Sequence, residues 1–269
     1  MSDPLVVVAR RTVGLRDIPL VLLAPGRLFA RVEDVAAWGW PLVVLLTLVT
    51  LIGYATVQTG LIDREIDTEV AQQIAAIDGQ QRDVVERSAL REMYDKEHKA
   101  GEFTKLLTRI RVIVMEPVQA LAAALLVATI FYGATALTGR KPEWHTLLTI
   151  CVFVGFIDAL RLLVTLALML LYRTLEVDTS LAVVIGLLSP GQWSSPTVRA
   201  VLTGLLTAVD PFRIWYWLAA IVGLSATAQL PGWRAGLVGG LCWLGAAGTQ
   251  CALALAPVLS APPGPGAGM

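Results

Sequence analysis

The chain has 269 residues, of which 56% are hydrophobic and only 16% charged. So few charges over this length exclude an ordinary soluble domain and point to a chain that crosses a membrane several times. The 21 basic and 21 acidic residues sum to zero formal charge, which offers no basic surface for a nucleic-acid partner.

Residues 1–23 carry Arg10-Arg11, but the run behind that pair is interrupted by Arg16, Asp17, Pro19 and then Pro25. No small-residue cleavage site follows, so the segment reads as uncleaved and cytoplasmic. Residues 24–37 place Leu28, Phe29, Val32 and Val35–Ala36 on one side, with Arg27, Arg31 and Asp34 on the other. This pattern predicts a short amphipathic helix lying on the cytoplasmic membrane surface, with Leu28, Phe29 and Val32 against lipid.

Crossing about 30 Å of hydrocarbon takes about 20 apolar residues. Five windows qualify: Pro41–Gln58, Pro117–Leu137, Leu147–Tyr172, Pro211–Ala228 and Ala235–Ala256. Trp38, Trp40, Trp144, Trp215 and Trp233 sit near the ends of these windows, in the zone that suits an amphipathic ring. Between the first two windows lies a polar insert of residues 59–111. Within it Ile62, Ile66, Val70, Ile74 and Ile77 recur at helical spacing and stop at Gly79, a plausible helix end. A second polar helix follows over about 80–99. Phe103, Leu106, Leu107 and Ile110 then lead to Glu116-Pro117, which reads as the membrane border and the start of the next helix. The insert is predicted to be a helical hairpin standing outside the membrane.

The third window holds Asp158 and Arg161, three residues apart and therefore on one helix face. A charge near mid-bilayer costs upwards of about 2.5 kcal/mol, so mutual neutralisation is the first expectation. The fourth window opens on the same spacing, Asp210-Pro-Phe-Arg213. The two pairs are expected to meet, directly or through water, as an internal clamp; a polar path for an ion or solute is the alternative. Residues 178–209, broken at Ser189-Pro190-Gly191, suit a pair of interfacial or re-entrant helices. In the last window Gly232, Gly236 and Gly240 recur at four-residue spacing, which favours close helix packing within the chain and leaves a homo-oligomer open. Residues 257–269 form a flexible tail rich in Pro and Gly and free of charge. Arg and Lys in the N-terminal segment and in the short connections fit an N-terminus inside and, with five spans, a C-terminus outside.

No H-E-x-x-H, G-x-S-x-G or Walker loop is present, and the two histidines, His98 and His145, are far apart in sequence. Cys151, Cys242 and Cys251 lie in apolar runs without metal-ligand spacing and read as small buried side chains. Asp63, Glu65, Asp67 and Glu69 read as a solvated helix start. No catalytic, cofactor-binding or metal-binding residues are expected, and an enzyme is not expected either.

Two stretches resemble a known family. TLEVDTSLAVVIG at 174–186 and AVDPFRIWYWLAAIVGLSATAQL at 208–230 look like the C-terminal half of the bacterial Yip domain family, relatives of Ypt/Rab-interacting membrane proteins. The shared features are a Thr-Ser-Leu stretch and a D-x-F-x-I-W span opening, here Asp210, Phe212, Ile214 and Trp215. PGRLFARVEDVAAWGWPLVVLL is similar to the amphipathic lead of that family, and the resemblance covers residues 24–256. It implies an all-α polytopic bundle of about five spans, with no catalytic residues and no cofactor, in the bacterial inner membrane among lipids and other membrane subunits. It further implies an accessory or scaffold role beside a MacB-type ABC exporter and its periplasmic adaptor, in assembly or in protection from toxic peptides. Two other functions fit the residues: a self-sufficient channel or transporter using Asp158, Arg161, Asp210 and Arg213, and a membrane-shaping or lipid-handling protein using the amphipathic helix of residues 24–37.

Overall fold

Long runs of Leu, Val and Ala satisfy all backbone N–H and C=O groups internally when helical, the condition for crossing lipid. The computed structural model describes residues 13–32, 38–81, 87–139, 143–175, 177, 179–181, 196–207, 209–227 and 230–260. All regular structure among them is helical. In chain order the helices are α1 (Ile18–Leu23), α2 (Pro25–Val32), α3 (Gly39–Gln58), α4 (Leu61–Gln81), α5 (Arg87–Ile110), α6 (Glu116–Leu137), α7 (Trp144–Tyr172), α8 (Pro196–Thr207), α9 (Pro211–Thr227) and α10 (Gly232–Ser260).

Four stretches are long and apolar enough to cross a membrane: Gly39–Gln58, Arg87–Leu137, Trp144–Tyr172 and Gly232–Ala256. Helix α9 has 17 residues. At 1.5 Å per residue it is about 25 Å long, short of the hydrocarbon thickness. It reaches span length only together with α8, to which it is joined at a 52° bend. The number of candidate spans is therefore four, or five if the bent pair is one span. Among the described residues the protein is thus all-helical, with four to five candidate membrane spans. Of the expected re-entrant pair, residues 182–195 lie outside the described residues and the second half is α8.

Helix α5 does not stop before α6. Residues Arg111–Met115 form a π turn, so helix runs without a break from Arg87 to Leu137. Glu116-Pro117 is therefore not a helix start. Proline lacks an N–H and crowds the carbonyl four residues back, and the extra residue per turn of a π segment relieves that crowding. Helix α4 ends at Gln81, two residues past the expected end at Gly79. The turn that is needed lies earlier, at Gly60, whose φ of +68° lets α4 begin directly after α3.

The chain divides into two units. One comprises Met1–Val43, Ala123–Arg161 and Asp178–Met269, and the other comprises Val44–Ala122 and Leu162–Val177.

In the first unit α7 is apolar all round from Leu147 to Ile157 apart from Thr149, and is correspondingly enclosed: Leu147, Leu148, Ile150, Phe153 and Ile157 are fully buried. Trp40 meets Phe153 edge to face at 6.1 Å, and Trp38 stacks on His145 at 6.5 Å. Helix α9 buries Tyr216, Ala219, Ala220, Gly223 and Leu224, a helical stripe at intervals of three and four. Helix α2 packs against α9, and here Leu28, Phe29 and Val32 are fully buried by protein. A Cβ on Gly223 would stand 3.2 Å from the Phe29 ring and 2.6 Å from Ile150 Cγ2. The apolar stripe expected to face lipid is thus a packing face within the unit, with the Phe29 ring seated over Gly223. Residues 33–37, the rest of the predicted amphipathic segment, lie outside the described residues. The Gly232/Gly236/Gly240 row meets no neighbour within 4 Å; close approach occurs at Gly204 against Cys251 and at Gly239 against Ile221.

In the second unit α4 and α5 pack against each other. Ile62, Ile66 and Val70 form a buried seam, with Val57, Ile74, Val112 and Leu175 packed against it. Gly101 of α5 lets the seam close, since a Cβ there would lie 2.7 Å from Val70 Cγ2. Ion pairs flank the seam. Arg109 binds both carboxylate oxygens of Asp63 at 2.8 and 2.7 Å, and Lys105 reaches Asp67 and Glu102 at 2.7 Å. At the far end Tyr94 donates its hydroxyl to Asp78 at 2.6 Å. The acids read as a solvated ladder therefore include two, Asp63 and Asp67, that bind α5.

Candidate functional site

The charges inside the first unit are the candidate site. Asp158 and Arg161 occupy consecutive turns of α7, which brings Arg161 Nε to 3.5 Å from Asp158 Oδ1. That spacing is an ion pair without a well-aligned hydrogen bond: Arg161 Nε is buried and has no hydrogen-bond partner. The Asp158 side chain retains 44% of its exposure although it lies midway along a span-length apolar helix.

Asp210 does something different from pairing with Arg213. It is 2% exposed and sits immediately before α9, where Oδ1 accepts the Phe212 N–H at 2.8 Å and its carbonyl accepts the Ile214 N–H at 2.9 Å. This is an N-cap, which satisfies donors that no preceding turn can reach. Oδ2 accepts the Thr179 hydroxyl at 2.7 Å, and the Leu181 N–H meets the Val209 carbonyl at 3.1 Å. The Thr179-Ser180-Leu181 stretch and the Asp210 motif thus join side by side. Both carboxylate oxygens being engaged, Asp210 makes no ion pair with Arg213 within 4 Å among the described residues.

The two D-x-x-R groups are nevertheless neighbours. Asp158 interacts electrostatically with Arg161, Arg213 and Asp210. The four residues occupy one region, with Asp158–Arg161 as its only pair within 4 Å. A direct salt-bridge clamp between α7 and α9 is absent among the described residues; Asp210 instead caps α9 and binds Thr179, in the segment that follows α7.

Within the D-x-F-x-I-W stretch, Asp210 is the structural residue. Phe212 is half-buried, and Ile214 and Trp215 face outward at 43% and 38% exposure. The side chain that turns inward is Tyr216, which sequence reasoning did not select although its spacing to Ala219, Ala220 and Gly223 carries the signal. The Thr-Ser-Leu stretch was noted in the sequence, but not the bond from its Thr179 to Asp210. Nothing local identifies a partner 31 residues away.

Among the described residues no group of three or more His, Cys, Asp or Glu side chains is placed to hold a metal ion. Cys151 is buried, whereas Cys242 and Cys251 are half-buried, and all three are free. No model of a known protein family, no curated protein and no solved structure matches this chain.

Proposed function

We propose that the protein is a non-enzymatic integral membrane subunit that presents its α4–α5 arm to other components of a membrane complex. The observation that carries this reading is the unbroken helix from Arg87 to Leu137. It makes a polar, ion-paired arm continuous in chain with an apolar span. Phe103, Leu106, Leu107 and Ile110 are exposed on the arm's stem, away from the Ile62/Ile66/Val70 seam, and form an apolar strip available for contact. The resemblance to Yip-type proteins suggests an exporter with a periplasmic adaptor as the kind of complex. In that reading the chain lies in the inner membrane with its N-terminus cytoplasmic.

The test is photo-crosslinking from a benzoylphenylalanine placed at Phe103 or Leu107 in living cells. Adducts with one defined membrane protein are expected, and Phe103→Glu should abolish co-purification of that protein. Crosslinks to lipid alone would refute the reading.

A second reading, a self-sufficient channel or transporter, is favoured by one observation: Asp158 keeps nearly half its side-chain exposure at mid-span. Purified chain in liposomes should then conduct an ion or solute, and Asp158→Asn should change that flux. The membrane-shaping reading has no such support, since protein covers Leu28, Phe29 and Val32.

A further inference from the structure

The π turn leaves a carbonyl without its helical donor. In an α-helix the Val112 carbonyl would accept the Glu116 N–H, but that N–H binds the Arg111 carbonyl instead. The next donor in π register would be residue 117, which is proline and has no N–H. The Val112 oxygen therefore has neither bond. It points at α3, where only a glycine fits: a Cβ on Gly53 would stand 2.5 Å from it.

A cavity of about 140 Å³ opens at this place, within the second unit. Val112 and Glu116 line one part of it, and Ile52, Leu162, Leu166 and Met169 line much of the rest. No Lys, Arg or His lines it. The Thr56 hydroxyl in the wall is already donated to the Ile52 carbonyl at 2.9 Å. Glu116 makes no ion pair within 4 Å among the described residues. Thr165 and Gly53 also lie in the wall, so the cavity combines one acidic residue, the Val112 backbone and two threonines with otherwise apolar walls. In size it is close to the roughly 150 Å³ apolar cavity that holds benzene.

We propose that this cavity binds a small hydrophobic cation: a protonated amine carrying an alkyl or aryl group about the size of a benzene ring. The ammonium group donates to the Glu116 carboxylate and the Val112 carbonyl, and the apolar body lies against Ile52, Leu162, Leu166 and Met169. The cation supplies both the charge that Glu116 lacks and the donor that Pro117 removes. This proposal stands independently of the accessory-subunit reading.

The test uses the full chain purified in detergent, titrated calorimetrically with benzylammonium and with benzyl alcohol, its neutral counterpart. Benzylammonium is expected to bind about tenfold or more tightly than the alcohol, the difference made by a charge-assisted hydrogen bond. Glu116→Gln should bring the two ligands to similar affinity, and Leu162→Trp, which fills the cavity, should remove both. Nanodiscs distinguish the natural source of the ammonium. Weaker benzylammonium binding in phosphatidylethanolamine than in phosphatidylcholine means that a lipid headgroup competes for the site, and equal binding means a free amine. Equal affinity of the native chain for the two probes, absence of saturable benzylammonium binding, or discrimination that survives Glu116→Gln would each overturn the proposal. The comparison on the native chain needs no variant to fold.

Discussion

The Thr179 hydroxyl donates a 2.7 Å hydrogen bond to Asp210 Oδ2 while Asp210 Oδ1 caps α9 at Phe212. One buried carboxylate therefore starts a helix and ties a preceding strand of chain to it. Losing an N-cap costs about 1–2 kcal/mol, and stranding a buried hydroxyl adds about 1 kcal/mol more. Asp210→Ala is expected to destabilise the chain by about 2–3 kcal/mol in detergent denaturation. Asp210→Asn, which keeps a capping oxygen, should cost less than half as much. An Asp210→Ala protein as stable as the native chain would show that the cap is not needed.

Phe29 tests what α2 is for. Its ring is fully buried over Gly223 and beside Ile150, so truncation opens a cavity among atoms that cannot relax into it. Phe29→Ala should cost about 3–5 kcal/mol. Gly223→Ala should also destabilise, because its new methyl would lie 2.6 Å from Ile150 Cγ2. A lipid-facing helix behaves in the opposite way: Phe29→Ala would leave the melting temperature unchanged and weaken vesicle binding. Thermal melts and vesicle flotation of the same variant separate the two.

These examples show which parts of the fold could be read from residue order. Spans were legible because hydrocarbon imposes a composition, and α3, α6, α7 and α10 fall where the apolar windows place them. Pairing of Ile62, Ile66 and Val70 against a second helix was legible for the same reason, a period that demands cover. Punctuation was less so. Pro117 resembles a helix boundary, yet it does not carry enough free energy to end a helix held by its neighbours. At the site, the use of Asp210 was not legible. A D-x-x-R pattern at a helix start fits a cap as well as an ion pair, and only the partner Thr179 distinguishes them.

Gly53 and Pro117 should be energetically coupled through the Val112 carbonyl. Gly53→Ala places a methyl 2.5 Å from that oxygen, and a backbone atom cannot move aside as a side-chain end can. A loss of about 1–3 kcal/mol is expected. Pro117→Ala restores an N–H and lets the helix return to α register, which redirects the Val112 carbonyl along the axis. In that background Gly53→Ala should cost less, giving a coupling energy of about 1 kcal/mol in a double-mutant cycle. Strict additivity of the two substitutions would mean that the π turn and the glycine are unrelated.

What holds the arm together is decided by comparing its ion pairs with its seam. Arg109 donates from one nitrogen, Nη2, to both oxygens of Asp63, but their side chains remain 44% and 35% exposed. Water and salt screen such a pair, so Arg109→Ala should cost under about 1 kcal/mol. Ile66 is 8% exposed in the middle of the seam, and Ile66→Ala removes three methyl or methylene groups from a packed site, at about 2–4 kcal/mol. Hydrogen exchange of the α4 and α5 amides reports arm opening directly. Protection should fall strongly in Ile66→Ala, slightly in Arg109→Ala, and hardly at all when the native chain is moved to high salt. If salt alone releases the amides, the ladder of Asp63, Asp67, Lys105 and Arg109 outweighs the apolar seam, and the arm is an electrostatic device.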